Sequence, residues 1–514
     1  MNLFKALATV SGMTLISRVL GFIRDAIIAR AFGAGLASDA FFVAFRIPNL
    51  LRRLFAEGAF SQAFVPILAD YKNARGEADA HDLINRVASA LSLVLIAVSI
   101  LGVLIAPLII YVSAPGFVSD PDKFALTVAM LRITFPYIFF ISLTAFAGAV
   151  LNTWSRFAVP AFTPSLLNVS FIISVLYFAP YFDPSVMVLA WAVFVGGVLQ
   201  LAFQWPALAK LGLVPRWRSP WRDEGVRRVL KLMAPALFGV SVAQISLVLN
   251  TIFASFLETG SVSWLYYADR LMEFPTGLLG AALGTILLPS LAKTYSDKDN
   301  AAFSRLLDWG LRITLLLAIP AAVALALLAV PLISTLFQHG AFSARDLEMT
   351  RQALLAYSVG LVGLILVKVL APGFYARQNV TTPVRIALVT LVATQLMNLV
   401  FVGPFAHAGL ALSIGIAACL NAALLFWKLR AGGTYRPGPG WWGFAIKLSI
   451  ALAAMVLVLI IFNRTDAWWV AARAMDRVAW LAFLVIAGAG SYFLALLALG
   501  FPLRQFLRQG GREQ

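Results

Sequence analysis

The chain has 514 residues, of which 61% are hydrophobic and only 12% are charged, so it is too apolar to stay dispersed as a soluble protein. Its formal charge of +17 would suggest a nucleic-acid partner in a soluble protein. In a membrane protein, positively charged cytoplasmic loops explain the same excess, and we therefore expect no nucleic acid.

Fourteen segments are long and apolar enough to be membrane-spanning helices, which need about 20 mostly apolar residues each. The sequence therefore predicts an all-α polytopic membrane protein with fourteen transmembrane helices. Five prolines in or beside these segments are candidate kinks, namely Pro48, Pro66, Pro136, Pro275 and Pro289. In chain order the predicted spans are 7–32, 38–70, 86–113, 125–151, 159–180, 184–209, 232–257, 261–292, 303–337, 348–375, 383–403, 407–429, 442–462 and 478–500.

The distribution of lysine and arginine predicts the orientation of these spans. With a cytoplasmic N-terminus, 24 of these residues lie in inner segments and 6 in outer segments. Because cytoplasmic segments carry the excess of positive charge, we expect both termini in the cytoplasm and an even number of spans.

The chain also repeats itself. The segment FVPILA at 64–69 resembles LLPSLA at 287–292, an offset of 223, and RFAVP at 156–160 resembles RQNVTTP at 377–383 with nearly the same offset. Six spans separate the copies, and an even number preserves orientation, so the pattern predicts two six-helix lobes related as parallel repeats. The predicted divisions are an N-terminal lobe at 1–210, a basic cytoplasmic loop at 211–231, a C-terminal lobe at 232–430, a linker at 431–441, and two further spans with a cytoplasmic tail at 442–514.

The first two spans carry many charged residues between positions 17 and 57, although a charge at the bilayer centre costs at least roughly 2.5–3.5 kcal/mol. Five polar residues of the second span share one helix face at steps of 7, 3, 4 and 4. Arg53 and Glu57 are an i,i+4 pair that favours an internal salt bridge, and Arg46 could pair with Asp39 in the same way. Arg52 has no acid at such spacing and is a stronger ligand candidate. The five are Asp39, Arg46, Asn49, Arg53 and Glu57.

In the first span Arg18 and Arg24 flank Gly21, and we expect the adjacent side chains of Arg24 and Asp25 to point about 100° apart. In the eighth span Arg270 lies beside two acids at i,i+4 spacing, Asp269 and Glu273.

If the lobes face each other, Arg270 would oppose the arginines of the first two spans across a wet cavity. Four guanidinium groups in one pocket repel one another unless an anion offsets them, and arginine suits bidentate phosphate binding. We expect Arg18, Arg24, Arg52 and Arg270 to bind a diphosphate. The alternative is that these arginines serve only structural ion pairs.

The charged stretches resemble the MurJ (MviN) family of lipid II flippases, which belongs to the multidrug/oligosaccharidyl-lipid/polysaccharide exporter superfamily. The resemblance covers residue 1 to about 505 and is strongest in MTLISRVLGFIRDAIIARAFGAG, SDAFFVAFRIPNLLRRLFAEGAFSQAFVPILADY and YYADRLMEFPTGLLGAALGTILLPSLA. It implies fourteen spans in the bacterial inner membrane and a role in peptidoglycan synthesis. The implied substrate is undecaprenyl-diphosphate-linked disaccharide pentapeptide, moved from the cytoplasmic to the periplasmic leaflet.

The resemblance also implies roles for particular residues. The essential cavity arginines of the family match Arg18, Arg24, Arg52 and Arg270, and spans 13 and 14 would form a groove for the polyprenyl tail. Membrane lipids and cell-wall synthesis proteins are the implied partners.

Some relatives bind sodium through acidic residues in the second lobe. This chain has no Asp or Glu between Phe374 and Tyr435, and Asn250, Thr394 and Asn398 are weak neutral substitutes. We therefore expect no sodium site, no other cofactor, and membrane potential as the driving force. The three histidines lie far apart, so we expect no metal.

Three alternative functions remain open. One is a flippase for another polyprenyl-diphosphate-linked glycan. The second is a multidrug antiporter of the same superfamily, which would favour an acidic, aromatic-lined pocket. The third is a membrane glycosyltransferase or polymerase, which usually has a large periplasmic loop, whereas the longest outer loop here, 463–477, is short. The sequence contains no Walker motif, nucleophile elbow or HExxH motif, so nothing in it indicates an ATPase or a hydrolase.

Overall fold

The structure, a computed structural model, describes residues 3–53, 60–220 and 223–501. Within these ranges the regular structure is helical and contains no strand, which confirms the predicted all-α class. The α-helices are α1 (Leu3–Phe32), α2 (Leu36–Arg52), α3 (Phe60–Asp70), α4 (Glu77–Leu104), α5 (Ala106–Ser113), α6 (Pro121–Thr134), α7 (Tyr137–Thr153), α8 (Ala158–Phe162), α9 (Pro164–Ile173), α10 (Met187–Lys210), α11 (Glu224–Ser255), α12 (Ser261–Ser296), α13 (Asn300–Leu327), α14 (Ala329–Leu336), α15 (Ala344–Tyr375), α16 (Thr381–Ala431), α17 (Trp441–Phe462), α18 (Asp466–Ala471) and α19 (Ala474–Ala498).

Nine helical segments among the described residues are long and apolar enough to cross a membrane, so the chain is a multi-pass membrane protein. This set does not include α1, α2, α11 or α12, and the count of fourteen therefore remains a prediction. The segments are Glu77–Leu104, Pro121–Thr153, Ala158–Tyr181, Met187–Lys210, Asn300–Leu327, Ala344–Tyr375, Thr381–Ala431, Trp441–Phe462 and Ala474–Ala498.

Two breaks in the helical structure fall where the sequence indicates them. The span 125–151 breaks between α6 and α7 beside Pro136, as predicted. The 51-residue α16 contains non-helical backbone at Ala406, between the two spans predicted at 383–403 and 407–429. By contrast, the other four prolines lie inside α2, α3 and α12 without ending those helices.

The contacts divide the chain into two compact units, 1–263 and 264–514. The division falls in the first turn of α12, because α11 packs on α3 and α4 of the first unit. The two predicted lobes, of which the second begins at residue 232, stay a prediction. In addition, residues 224–231 of the predicted basic loop are helical, because the Asp223 carboxylate accepts the backbone N–H of Val226 at 2.9 Å and caps α11.

Each unit has its own packing core. In the first unit, Phe60, Phe64 and Phe146 bring α3 against α7, with ring centroids 5.1 Å apart for the last two. In the second unit, α15 and α16 approach closely at glycine, since a Cβ atom on Gly360 would lie 2.1 Å from the Cα atom of Gly415. Small residues of this kind allow helix backbones to approach in membrane proteins.

Candidate functional site

The best-defined candidate in the first unit is Arg24 on α1. Its Nη2 and Nε atoms donate to Asp25 Oδ1 at 2.6 and 2.8 Å, and the Asp25 side chain is fully buried. The expectation that these adjacent side chains point apart is therefore wrong. The arginine side chain is long enough to fold back onto the carboxylate of its neighbour, so the angle between Cβ directions does not decide the contact.

A second residue holds the same guanidinium group. Arg24 Nη1 donates to Asn168 Oδ1 on α9 at 3.1 Å, and the Asn168 amide donates in turn to the backbone carbonyl of Ser17 at 3.0 Å. The Arg24 guanidinium also lies 5.4 Å from the ring centroid of Phe171. These contacts fix its orientation from two helices. Sequence reasoning missed Asn168, because an asparagine 144 residues away gives no local signal.

Arg52, in the last turn of α2, donates from Nε to Asn49 Oδ1 at 3.0 Å. The acceptor of this hydrogen bond is a neutral amide. Arg18 on α1 and Arg53 at the end of α2 are both half-buried. Glu57 lies outside the described residues, so the predicted pair between Arg53 and Glu57 stays a prediction.

In the second unit, Arg270 on α12 forms an ion pair with Glu273, with Nη1 and Oε2 2.8 Å apart. The Glu273 side chain is 54% exposed and Asp269 is also exposed. Exposed ion pairs contribute only about 0–1 kcal/mol to stability, so this pair holds Arg270 loosely.

Asp39 has a different environment from the one predicted. It pairs with Lys123 on α6 at 2.9 Å rather than with Arg46, which donates to Thr251. The same carboxylate accepts the backbone N–H groups of Gly260 and Ser263 at 2.7 and 2.9 Å and the Ser263 hydroxyl at 2.7 Å. Asp39 thus caps the start of α12 from a buried position. Lys123 lies between the predicted spans 86–113 and 125–151, outside the charged stretch that the sequence analysis singled out.

A second buried carboxylate organises the linker before α17. Asp308 on α13 accepts the Tyr435 hydroxyl at 2.7 Å, the indole N–H of Trp441 at 2.9 Å and the backbone N–H of Gly438 at 3.1 Å, and pairs with Arg312 at 2.8 Å. Burial, together with the hydrogen bond to this carboxylate, raises the pKa of Tyr435. The linker is therefore anchored to α13.

The candidate residues thus fall into three local groups. The structure brings together Arg24, Asp25 and Asn168, joins Arg52 to Asn49, and joins Arg270 to Glu273. Among the described residues, no three His, Cys, Asp or Glu side chains cluster in a way that could hold a metal ion.

The sequence profile of the family described as "Lipid II flippase MurJ" matches residues 28–478. The lipid II flippase MurJ of Burkholderia cenocepacia is 52% identical over 99% of this chain and 100% of its own length. A probable lipid II flippase MurJ of Vibrio cholerae is 43% identical over 98% of this chain and 97% of its own.

Solved structures show the same relationship. The structure described as lipid II flippase MurJ in an inward closed conformation matches with a TM-score of 0.77 and 26% identity, over 95% of this chain and 99% of that one. An inward-facing multidrug resistance transporter of the MATE family in the MOP superfamily matches with a TM-score of 0.66 and 15% identity, over 81% and 95% of the two chains. The second likeness shows a shared fold alone.

Proposed function

The chain belongs to the MurJ family of lipid II flippases, and we propose on that basis that it moves lipid II from the cytoplasmic to the periplasmic leaflet of the bacterial inner membrane. The observation that carries this proposal is the 52% identity to the Burkholderia protein over essentially the whole of both chains. The protein then acts as a transporter rather than as an enzyme.

The proposed ligands of the lipid diphosphate are Arg18, Arg24, Arg52 and Arg270. The contacts of Arg24, Arg52 and Arg270 support this choice. The Arg24 guanidinium is held in orientation by Asp25 and Asn168, which lowers the entropy cost of gripping a phosphate. Arg52 is bound to a neutral amide.

Arg270 pairs with an exposed glutamate that a diphosphate can displace at little cost, because the pair itself contributes little. Arg52 and Arg270 would then each form a charge-assisted bond to phosphate, while Arg24 keeps its contacts with Asp25 and Asn168. In this proposal Asp25 and Asn49 support the arginines and do not contact the substrate, whereas Asp39 pairs with Lys123 and caps α12.

The transport cycle in this proposal is a shift between two packed states of the two lobes. The lobes are the predicted parallel repeats, within a total of fourteen spans and with both termini in the cytoplasm. Membrane potential drives the cycle, and it supplies about 2.3 kcal/mol per elementary charge per 100 mV.

Reconstituted liposomes test the assignment of the four arginines. Each arginine is replaced by alanine, and the transfer of fluorescent lipid II is measured with and without an imposed potential. Hydrogen bonds to charged groups contribute about 1.5–3 kcal/mol, so each variant should bind lipid II roughly ten- to a hundredfold more weakly. Arg30→Ala is the matched control, because Arg30 lies on α1 and is exposed.

Transfer by all four variants at the rate of the Arg30→Ala control would refute the assignment. Comparison of lipid II with other polyprenyl-diphosphate-linked glycans in the same liposomes identifies the substrate. Equal transfer of an unrelated glycan would favour a broader flippase.

A further inference from the structure

The second unit carries a lysine inside a membrane-spanning helix that the proposed function does not use. Lys368 lies on α15, about 10 Å before that helix ends at Tyr375. The helices α12 and α15 run parallel to each other. Near their starts, the indole N–H of Trp264 donates to Asp346 at 2.9 Å. Further along, the backbone carbonyl of Lys368 lies 3.9 Å from where a Cβ atom on Gly284 would be.

The side chain of Lys368 points away from the nearer end of its helix. A Cβ atom on Gly280 would lie 2.2 Å from its Cδ atom and 3.0 Å from Nζ, and Nζ donates to the backbone carbonyl of Thr276 at 3.2 Å. The side chain therefore runs back along α12, from Gly284 past Gly280 to Thr276. A lysine that only needed to reach the membrane surface would point the other way, toward Tyr375. An ammonium group held inside a span is costly and indicates a functional role.

The ammonium group reaches the face of α12 that carries Glu273. Residues three, four or seven positions apart share one face of a helix, so Glu273 lies on the same face as Thr276 and Gly280. The Thr276 hydroxyl also donates to the backbone carbonyl of Glu273 at 3.1 Å. Neighbours on such a face are about 5–6 Å apart at Cβ, so a change of rotamer would bring the Glu273 carboxylate to Lys368. In the structure that carboxylate lies 2.8 Å from Arg270, and the Glu273 side chain is 54% exposed.

We propose that Lys368 takes over the carboxylate of Glu273 when a diphosphate binds Arg270. This inference rests on the proposed function, because it needs a substrate anion at Arg270. A carboxylate released beside a bound diphosphate would repel it, and a carboxylate without a counter-ion inside the membrane is costly. Transfer to Lys368 removes both costs, because a second cation already lies against the same helix face. Lys368 is then a positioning residue that does not contact the substrate.

Lipid II binding by the full-length protein in nanodiscs tests the need for Lys368. We expect Lys368→Met to weaken binding about tenfold and Lys368→Arg, which keeps the charge, to restore most of that loss. Lys293→Met is the matched control and should not weaken binding, because Lys293 is an exposed lysine in the last turn of α12. The decisive comparison is made in the Glu273→Gln background, where no carboxylate is released. There, Lys368→Met should cause no further loss.

A second measurement detects the transfer directly and needs no substrate. A carbodiimide joins a carboxylate to an amine in contact with it, and peptide mapping by mass spectrometry locates the bond. Arg270→Ala removes the arginine that holds Glu273, so the crosslink between Glu273 and Lys368 should increase at least about fivefold. Arg351→Ala is the matched control and should not raise this crosslink, because it breaks an exposed pair of the same i,i+3 spacing, with Glu348.

The two experiments separate failure of this inference from failure of the proposed function. Unchanged lipid II affinity in Arg270→Ala would remove Arg270 from the proposed ligands, and this inference with it. Weakened affinity in Arg270→Ala without any increase of the crosslink would refute the transfer alone. Lipid II added to the unaltered protein should raise the crosslink as Arg270→Ala does.

Three further results would overturn the transfer while Arg270 remains a ligand. The first is a crosslink from Lys368 to Asp269, the other exposed acid on this face, instead of Glu273. The second is full lipid II affinity in Lys368→Met. The third is an equal loss of affinity from Lys368→Met with and without Glu273→Gln, which would make Lys368 a direct ligand of the substrate.

Discussion

The buried pair of Asp39 and Lys123 allows a quantitative prediction for stability. Asp39 is 1% exposed and Lys123 is 3% exposed, and their charged atoms lie 2.9 Å apart. Asp39→Ala leaves a buried ammonium without its carboxylate and should lower the free energy of unfolding by roughly 3–5 kcal/mol. Lys123→Met should cost less, about 1–3 kcal/mol, because Gly260 and Ser263 still donate to the carboxylate.

The double variant tests whether the two effects share one origin. Because the buried charges are removed together, its cost should fall short of the sum of the single costs by about 1–3 kcal/mol. The assay is equilibrium unfolding in mixed micelles with a rising fraction of SDS, followed by helix content. The control cycle uses Asp70 and Arg228, which form an ion pair at 3.3 Å with both side chains about half exposed.

The control cycle should show a coupling of about 0–1 kcal/mol, as for other exposed pairs. Additivity of the Asp39 and Lys123 variants to within about 0.5 kcal/mol would contradict the buried-pair account. So would a coupling equal to that of the exposed control.

Three further outcomes are expected in the same unfolding assay. Gly360→Ala should destabilise the second unit by about 1–3 kcal/mol, because its Cβ atom would meet the backbone of α16. Gly12→Ala is the control and should be neutral or stabilising, because a Cβ atom there would have no neighbour within 4 Å. Equal effects of the two substitutions would exclude close helix approach as the cause. Arg477→Lys should cost at least about 1.5–3 kcal/mol, because the buried guanidinium donates to three backbone carbonyls that one ammonium cannot reach together, and an unchanged unfolding midpoint would contradict this. Tyr435→Phe should cost about 1.5–3 kcal/mol through loss of its bond to the Asp308 carboxylate. Because the pKa of Tyr435 is raised in the folded protein, that difference should hold between pH 6 and 9 and decline only above the ordinary tyrosine pKa of about 10, and a decline near pH 8 would refute the assignment.

The helical segments could be predicted from the sequence because their signal is local. A run of about 20 apolar residues specifies a span by itself. The break at Ala406 falls between two such runs, and the break beside Pro136 falls at a proline inside one run. The division of the two units was harder to predict. It depends on which neighbours α11 packs against, and the hydrophobicity of α11 does not encode that choice.

The partners of the charged residues could be predicted only in part. Arg270 and Glu273 are three residues apart on α12, and their contact follows from helix geometry. The partners of Asp39 lie 84 to 224 residues away, so spacing along one helix selected Arg46 wrongly. Local periodicity identifies which residues share a face, but tertiary packing decides which of them meet.

The anchoring of the linker by Asp308 has a consequence for the last two spans. α17 begins at Trp441, whose indole is bound to α13 through that carboxylate, and α19 packs on α17. The last two predicted spans, α17 and α19, should therefore move together with α13 during a transport cycle. They cannot move away from α13 independently while those bonds persist. A fluorophore placed on α17 would accordingly follow the excursions of the whole second unit.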